Sequence, residues 1–240
     1  MRLLPRRLRR LLLRCTCGAR SRGGPRGSRT RELFRNERLR VLDTRLAPRS
    51  RRRWCHAVPT VRWQAVGDHL PTPTPDFFEA GSSVTVSNGS AHEERREIVF
   101  EILQSPRYTE AEVTHLLNRP SWPTEVGTKL MFENRLVRLW DFRSSHGMHK
   151  HQLHLHTLDN AFVILGAAKL NVYRPEQGAA QPAQPTLVKS IVAEDGDVVW
   201  NTVAHGGFEA DGFTPVSPQC LHSVENCAED EFREYLIELK

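Results

Sequence analysis

The stretch His146–Leu165, HGMHKHQLHLHTLDNAFVIL, places five of the chain's eleven histidines within eleven residues and then continues into an apolar run. Residues two apart on a β-strand point to the same face of the sheet. His154 and His156 are therefore expected to project their imidazoles together. His149 and His151 form a rival pair with the same spacing but the opposite alternation. The pattern indicates a metal site, with a further ligand supplied by another part of the chain.

Composition limits the class of protein. With 240 residues, 39% of them hydrophobic, the chain can form one or two small domains, and no apolar run reaches the length of a membrane span. Residues 1–53 contain 19 of the 34 Lys and Arg and 3 of the 28 Asp and Glu, so the remainder contains 15 basic and 25 acidic residues. An acidic body disfavours nucleic-acid binding, which requires basic residues across a folded face.

The N-terminal segment, residues 1–30, contains ten arginines and no acidic residue. This composition is typical of a transit peptide, which predicts a mitochondrial or plastid location. The alternatives are a basic tail or a start codon assigned too early, and the protein would then be cytoplasmic. The five cysteines form no CxxC pair, which disfavours a thiolate zinc site or a disulfide framework.

The chain contains an internal repeat. LFRNERLRVLDTR at 33–45 aligns with MFENRLVRLWDFR at 131–143, and VSNGSAHEERREIVFEIL from Val86 resembles VENCAEDEFREYLIELK from Val224. We predict two copies of one unit, at 31–105 and 129–240, hereafter the first unit and the second unit. Between them, at 106–128, Thr109 followed by Glu112 is the pattern of a capping box, which predicts a short linker helix.

Strand signals dominate the second unit. Short runs rich in Val, Ile, Leu and aromatic residues alternate with turn-forming residues, which predicts an all-β antiparallel sandwich or barrel. These runs are RLVRLWDF, AFVILGAAKLNVY, TLVKSIVA, GDVVWNTV and FREYLIEL.

Two motifs of the second unit resemble those of the cupin superfamily. In the first, Gly147 precedes the pair His154 and His156, and an apolar strand continues to Gly166. In the second, GDVVW precedes PQCLHSVEN, which contains His222 and Asn226. The resemblance implies a double-stranded β-helix, the cupin jelly-roll barrel, and the repeat makes the chain similar to a bicupin.

The sequence also departs from the cupin pattern. Asn160 and Ala161 stand where cupins usually have a glutamate after the second histidine, and Asp159 is the nearest carboxylate. In the first unit, WCH at 54–56 aligns with HLH at 154–156, the position of His222 falls near Val84, and the middle of the unit is shorter. We therefore expect the first unit to be a degenerate packing partner; a truncated gene model is the alternative.

The resemblance implies that His154, His156 and His222 bind a divalent metal, with Asp159 as an additional ligand. With Asp159 the set suits Fe(II) or Mn(II), and without it Zn(II) or Ni(II) fits equally well. The alternative is a cupin that keeps these histidines as hydrogen-bonded polar residues without a metal. His205, on a glycine-rich loop inserted at 204–215, is a candidate for covering the pocket.

The functional hypothesis is a metal-dependent enzyme acting on a small polar molecule, as an oxygenase such as a dioxygenase, an isomerase or a lyase. The alternative is a non-catalytic cupin that binds a ligand or serves in assembly, for example as a homodimer. A third hypothesis is that the histidine tract is exposed and buffers metal ions.

Overall fold

The computed structural model of the chain describes residues 28–65, 72–120, 122–149, 152–175, 185–203 and 220–240. Residues 1–27 of the predicted leader, the inserted loop with His205, and His151 lie outside the described residues. The first strand begins at Ser28, so the predicted leader boundary at residue 30 falls inside this strand. No helix in the described part of the chain is long and apolar enough to cross a membrane.

The first unit consists of antiparallel strands in two sheets. Five strands form a sheet in the order β1-β2-β7-β4-β5, and the remaining two, β3 and β6, pair with each other. The strands are β1 (Ser28–Arg35), β2 (Leu39–Leu46), β3 (Arg51–Cys55), β4 (Thr60–Ala65), β5 (Asp76–Phe78), β6 (Ser83–Ser87) and β7 (Arg95–Ile102).

One helix, α1 (Glu110–Asn118), lies between the units. The Thr109 hydroxyl accepts a hydrogen bond from the Glu112 backbone N–H at 3.3 Å, and the Glu112 carboxylate accepts one from the Thr109 N–H at 2.7 Å. The predicted capping box is therefore confirmed. The helix is shorter than the predicted linker segment, whose described residues outside the helix form no further helix or strand.

The second unit repeats this plan with two more strands in its second sheet. One sheet has the order β14-β11-β16-β9-β8 and the other the order β10-β15-β12-β13. The strands are β8 (Lys129–Glu133), β9 (Val137–Ser144), β10 (His154–Leu155), β11 (Asp159–Ile164), β12 (Ala168–Arg174), β13 (Thr186–Ala193), β14 (Val198–Asn201), β15 (Leu221–Asn226) and β16 (Phe232–Leu239). The predicted all-β double-stranded fold is thus confirmed.

One predicted strand run, AFVILGAAKLNVY, forms two strands, β11 and β12. Gly166 lies between them with φ of +93°. Side chains rarely adopt this left-handed region, whereas glycine enters it without steric cost. The Asp195 carboxylate also accepts a hydrogen bond from the Gly166 N–H at 3.0 Å. The chain therefore leaves one sheet at Gly166 and enters the other.

The repeat extends to individual hydrogen bonds. The Asn36 side-chain oxygen accepts from the N–H groups two and three residues later, each at 2.8 Å. Asn134 does the same at 2.8 and 3.0 Å. Asn226 donates from its side-chain amide to two backbone carbonyls. Asn88 donates to the two carbonyls at corresponding positions and also to a third, that of Ala47. Each asparagine satisfies turn groups that water would otherwise bind, and these contacts explain why the residues recur in both copies.

The two units differ mainly in the hairpin formed by β12 and β13. In the second unit this hairpin lies between β11 and β14 and completes a four-stranded sheet. In the described part of the first unit no such hairpin joins β4 to β5, and the second sheet consists of β3 and β6 alone. The shorter middle segment that the sequence predicted for the first unit therefore corresponds to the loss of two of the four strands of its second sheet.

The main hydrophobic core lies between the two units. It combines side chains from one face of each five-stranded sheet, including Val41, Phe100, Leu139 and Ile237. At its centre the rings of Trp63 and Tyr235 stack with centroids 3.8 Å apart. The opposite face of the second unit's sheet points toward its own β10-β15-β12-β13 sheet, and the candidate site lies between these two sheets.

Candidate metal centre

Three histidines of the second unit meet on one sheet. Strand β10 pairs with β15 so that His154 lies directly opposite His222. His156 follows at the end of β10, where its N–H donates to the Cys220 carbonyl at 2.8 Å. The ring centroids are 4.8 Å apart for His154 and His222, and 5.1 Å for each of the other two pairs. One ring nitrogen from each histidine lies within 4.8 Å of the other two.

Burial keeps two of these imidazoles neutral. His156 is only 2% exposed, and burial, together with the neighbouring His222 and His154, lowers its pKa well below the usual 6.5. Burial lowers the pKa of His154 to about 4. Neutral imidazoles carry the lone pair that a metal ion requires. At neutral pH the site therefore offers ligands without first releasing protons.

Hydrogen bonding fixes the tautomer of His154. Its Nδ1 lies 3.3 Å from the Gln152 backbone oxygen, so Nδ1 carries the proton and Nε2 keeps its lone pair. Metal-binding histidines usually have such a partner on the second nitrogen. The buried Nδ1 of His156 has no hydrogen-bond partner among the described residues. These features fit a divalent metal ion bound by three imidazoles.

Asp159, the additional ligand predicted from sequence, is not brought to the histidines. Its carboxylate forms a buried ion pair with Arg38 and a second with Arg107 at 3.2 Å. It also accepts the N–H of Val203 at 2.7 Å. Asp159 shares its strand face with Ala161, which packs in the core between the units, so alternation along β11 directs it away from the site.

The next residue of β11, Asn160, places an amide at the strand position that faces the site. Asn160 is fully buried. Its side-chain nitrogen donates to the Leu158 carbonyl at 2.9 Å, and its oxygen accepts from Asn201 at 2.9 Å. Among the described residues, the group with metal-binding geometry therefore consists of histidines alone.

The remaining histidines of the tract have other contacts. His149 Nδ1 meets the side chain of Gln152, and the ring lies 5.3 Å from that of Phe142. His146 Nδ1 contacts the Ala228 carbonyl at 2.9 Å. Neither belongs to the three-histidine group, and the possible partner of His149 at position 151 lies outside the described residues. The geometry thus favours the later pair, as the motif spacing predicted.

A cavity of about 440 Å³, the barrel cavity, opens between the two sheets of the second unit, and all three histidines line it. Its other walls are mainly apolar and include Phe162, Ile164, Leu170 and Trp200. A neighbouring recess of about 540 Å³ shares His154 with it and is lined by His149. The barrel cavity can admit a small organic molecule beside the imidazoles.

Glu234, a titratable residue of this cavity, was not predicted from the sequence. It lies on β16, is 8% exposed and lines the cavity with the histidines. Burial raises the pKa of its carboxyl to about 8. The repeat contained a signal, because Glu234 aligns with Glu97 of the first unit, but alignment alone does not tell which copy lacks a partner.

The corresponding interior of the first unit is filled by other side chains. Trp54 lies opposite Val84 in the sheet register, as His154 lies opposite His222. The His56 N–H donates to the Ser82 carbonyl at 2.9 Å, as that of His156 does to Cys220. This register confirms the sequence alignment of the two copies.

The Arg62 guanidinium lies 4.5 Å from the centroid of the Trp54 ring and pairs with Glu97. An aromatic ring, a cation and a carboxylate therefore occupy the interior of the first unit.

Comparison with known proteins agrees with this architecture. No protein-family model and no curated protein sequence matches the chain. Among solved structures, AerE from Microcystis aeruginosa is similar over 90% of this chain and 93% of its own, with 11% identity and a TM-score of 0.55.

Two further structures are similar at lower scores. A cupin 2 conserved barrel domain protein from Leptotrichia buccalis covers 91% of each chain, with 11% identity and a TM-score of 0.37. A mutant of Bacillus subtilis oxalate decarboxylase covers 88% of this chain and 73% of its own, with 12% identity and a TM-score of 0.48. Such identities concern the fold alone, and the fold that they support is a bicupin-like arrangement of two antiparallel β units.

Proposed function

We propose that the second unit binds a divalent metal ion through His154, His156 and His222 and acts with it on a small molecule in the barrel cavity. The observation that carries the proposal is the convergence of three imidazoles, with ring nitrogens within 4.8 Å, at a cavity of about 440 Å³. Burial lowers the pKa of two of them, His154 and His156. Imidazole ligands suit Fe, Ni and Zn, and the absence of a carboxylate from the described group disfavours Mn.

A metal bound by three imidazoles keeps open positions and can polarise a carbonyl or carboxylate or bind dioxygen. The protein supplies the surroundings. Apolar walls exclude water, which strengthens polar interactions inside the cavity. Arg174 and Lys189 line the same cavity and provide positive charge for an acidic group of the ligand. The reaction classes that fit are oxygenation, isomerisation and lysis.

The test is metal content, measured by elemental mass spectrometry after reconstitution with Fe(II), Mn(II), Ni(II) or Zn(II). We compare the parent protein with His222→Ala, His149→Ala and His92→Ala. His92 is an exposed histidine of the first unit and serves as the matched control. We expect near-stoichiometric metal in the parent and both control variants, and its loss in His222→Ala.

Two results would refute this proposal. Little metal in the reconstituted parent would leave the barrel as a ligand-binding module without a metal. Loss of metal on substitution of His149, with retention in His222→Ala, would place the ion at the exposed tract. Circular dichroism of each variant checks that the fold is intact.

A further inference from the structure

Glu234 is a buried carboxyl in an apolar part of the barrel cavity. Its strand neighbours are Phe142 on β9 and Ile164 on β11, which lie directly opposite it in the sheet register. The side chain is 8% exposed and makes no hydrogen bond or ion pair with any other described residue. Buried carboxyls normally have a partner, since an unpaired one carries a large desolvation cost.

The first unit shows what such a partner looks like. Glu97, at the equivalent position, forms a buried ion pair with Arg62 and a second ion pair with Arg95 at 2.7 Å. On the strand next to Glu97, Arg62 lies opposite Val99. The residue of the second unit equivalent to Val99 is Leu236, and Phe162 lies opposite it. The second unit therefore has a phenyl ring where the first has the neutralising guanidinium.

This exchange changes the chemistry of the carboxyl. Without a cation beside it, burial raises the pKa of Glu234 to about 8, so the group is mainly protonated at neutral pH. A protonated carboxyl carries one O–H donor as well as acceptor oxygens. The other titratable or charged residues lining the cavity are the three histidines, Arg174, Lys189 and Asp197.

We propose that Glu234 is a ligand-recognition residue of the barrel cavity and donates a hydrogen bond to a carbonyl, ether or hydroxyl oxygen of a largely apolar molecule. Fifteen of the 23 residues that line the cavity are apolar, which favours a ligand with a hydrocarbon body. The buried donor gains a partner when the ligand enters. This inference rests on the proposed function only in placing the ligand in the same cavity.

The test compares two probes of nearly equal shape, acetophenone and α-methylstyrene, which differ by a carbonyl oxygen in place of a methylene group. Affinities are measured by ligand-observed NMR for the parent, Glu234→Gln and Glu234→Leu. The quantity of interest is the ratio of the two affinities. We expect this ratio to fall about fivefold in Glu234→Leu, the loss of one hydrogen bond. It stays within about twofold in Glu234→Gln, which keeps an N–H donor.

An unchanged ratio in Glu234→Leu would overturn the inference, and so would failure of the parent to bind either probe. Metal content of the same samples separates this inference from the proposed function. A normal ratio in a parent protein that binds no metal would refute the metal site and support the role of Glu234. A normal metal content with no effect of Glu234→Leu on the affinity ratio would support the metal site and refute the role of Glu234.

Discussion

The uncompensated burial of Glu234 makes a quantitative prediction about stability. Its pKa is raised from the usual 4.5 to about 8 in the folded protein. Below about pH 4.5 the carboxyl is protonated in both states, and its full contribution to stability is present. As the pH rises toward 8, the unfolded state ionises first and stability is lost. Each pKa unit corresponds to about 1.36 kcal/mol, so the loss is about 3 kcal/mol at pH 7 and about 4 kcal/mol at pH 8, where half of the folded molecules are ionised at Glu234.

The variant Glu234→Gln removes this titration while keeping the size and a neutral polar group. We therefore expect its free energy of unfolding to match that of the parent near pH 4.5 and to exceed it by about 4 kcal/mol at pH 8. The assay is urea unfolding followed by circular dichroism across this range. The other titrating groups of the cavity are present in both proteins, so the difference between the two curves reports on Glu234.

The matched control is Glu97→Gln at the equivalent position of the first unit. There the substitution leaves Arg62 buried without its carboxylate, and breaking such a pair costs about 3–5 kcal/mol. The same chemical change is therefore expected to stabilise one unit and destabilise the other. A pH-independent effect of Glu234→Gln, or a loss of stability at pH 8, would refute the reasoning.

Three further substitutions, together with one control at an exposed ion pair, test the packing that holds the site. Arg38→Met should lower the free energy of unfolding by about 3 kcal/mol because it strips a buried cation from Asp159, whereas Arg135→Ala, in an exposed ion pair, should cost less than about 1 kcal/mol; urea titration measures both. Asn134→Ala should cost about 1 kcal/mol through the loss of two turn hydrogen bonds, visible as a lower melting temperature. Trp63→Ala should cost about 3–5 kcal/mol and, because the core is shared, lower the melting of both units together.

The sequence predicted the repeat and the histidine group through short-range patterns. The alternation of His154 and His156 and the alignment of WCH with HLH are both reproduced in the register of the sheets. Local spacing was sufficient here because a β-strand has a fixed period of two. The capping box at Thr109 was equally readable, since its contacts join residues three apart.

Asp159 shows where local spacing fails. Distance along the chain from His156 suggested a ligand, but strand β11 begins at Asp159 and the alternation of its faces is set from there. Its buried partner, Arg38, is 121 residues away in sequence and belongs to the other unit. The packing of one unit against the other is not readable from either motif, and it determines which side of β11 faces the histidines.

Glu234 was missed for a related reason. A glutamate occurs at the same position in both copies, so the repeat by itself suggests a shared structural role. The difference lies on a neighbouring strand, where Arg62 is replaced by Phe162, and it becomes visible only when the strand registers are matched.

The two units thus place different chemistry on the same backbone positions. Trp54, Arg62 and Glu97 fill the interior of the first unit with stacked and paired charges. At the equivalent positions of the second unit, His154, Phe162 and Glu234 line an open cavity. The β12–β13 hairpin provides the wall that closes this cavity on one side. The first unit keeps its ion pair and a filled interior behind the sheet against which the second unit packs. That support makes it physically feasible for the second unit to keep an unpaired carboxyl and two imidazoles whose pKa values burial lowers. The proposed metal ion and ligand would offset the desolvation cost of these groups.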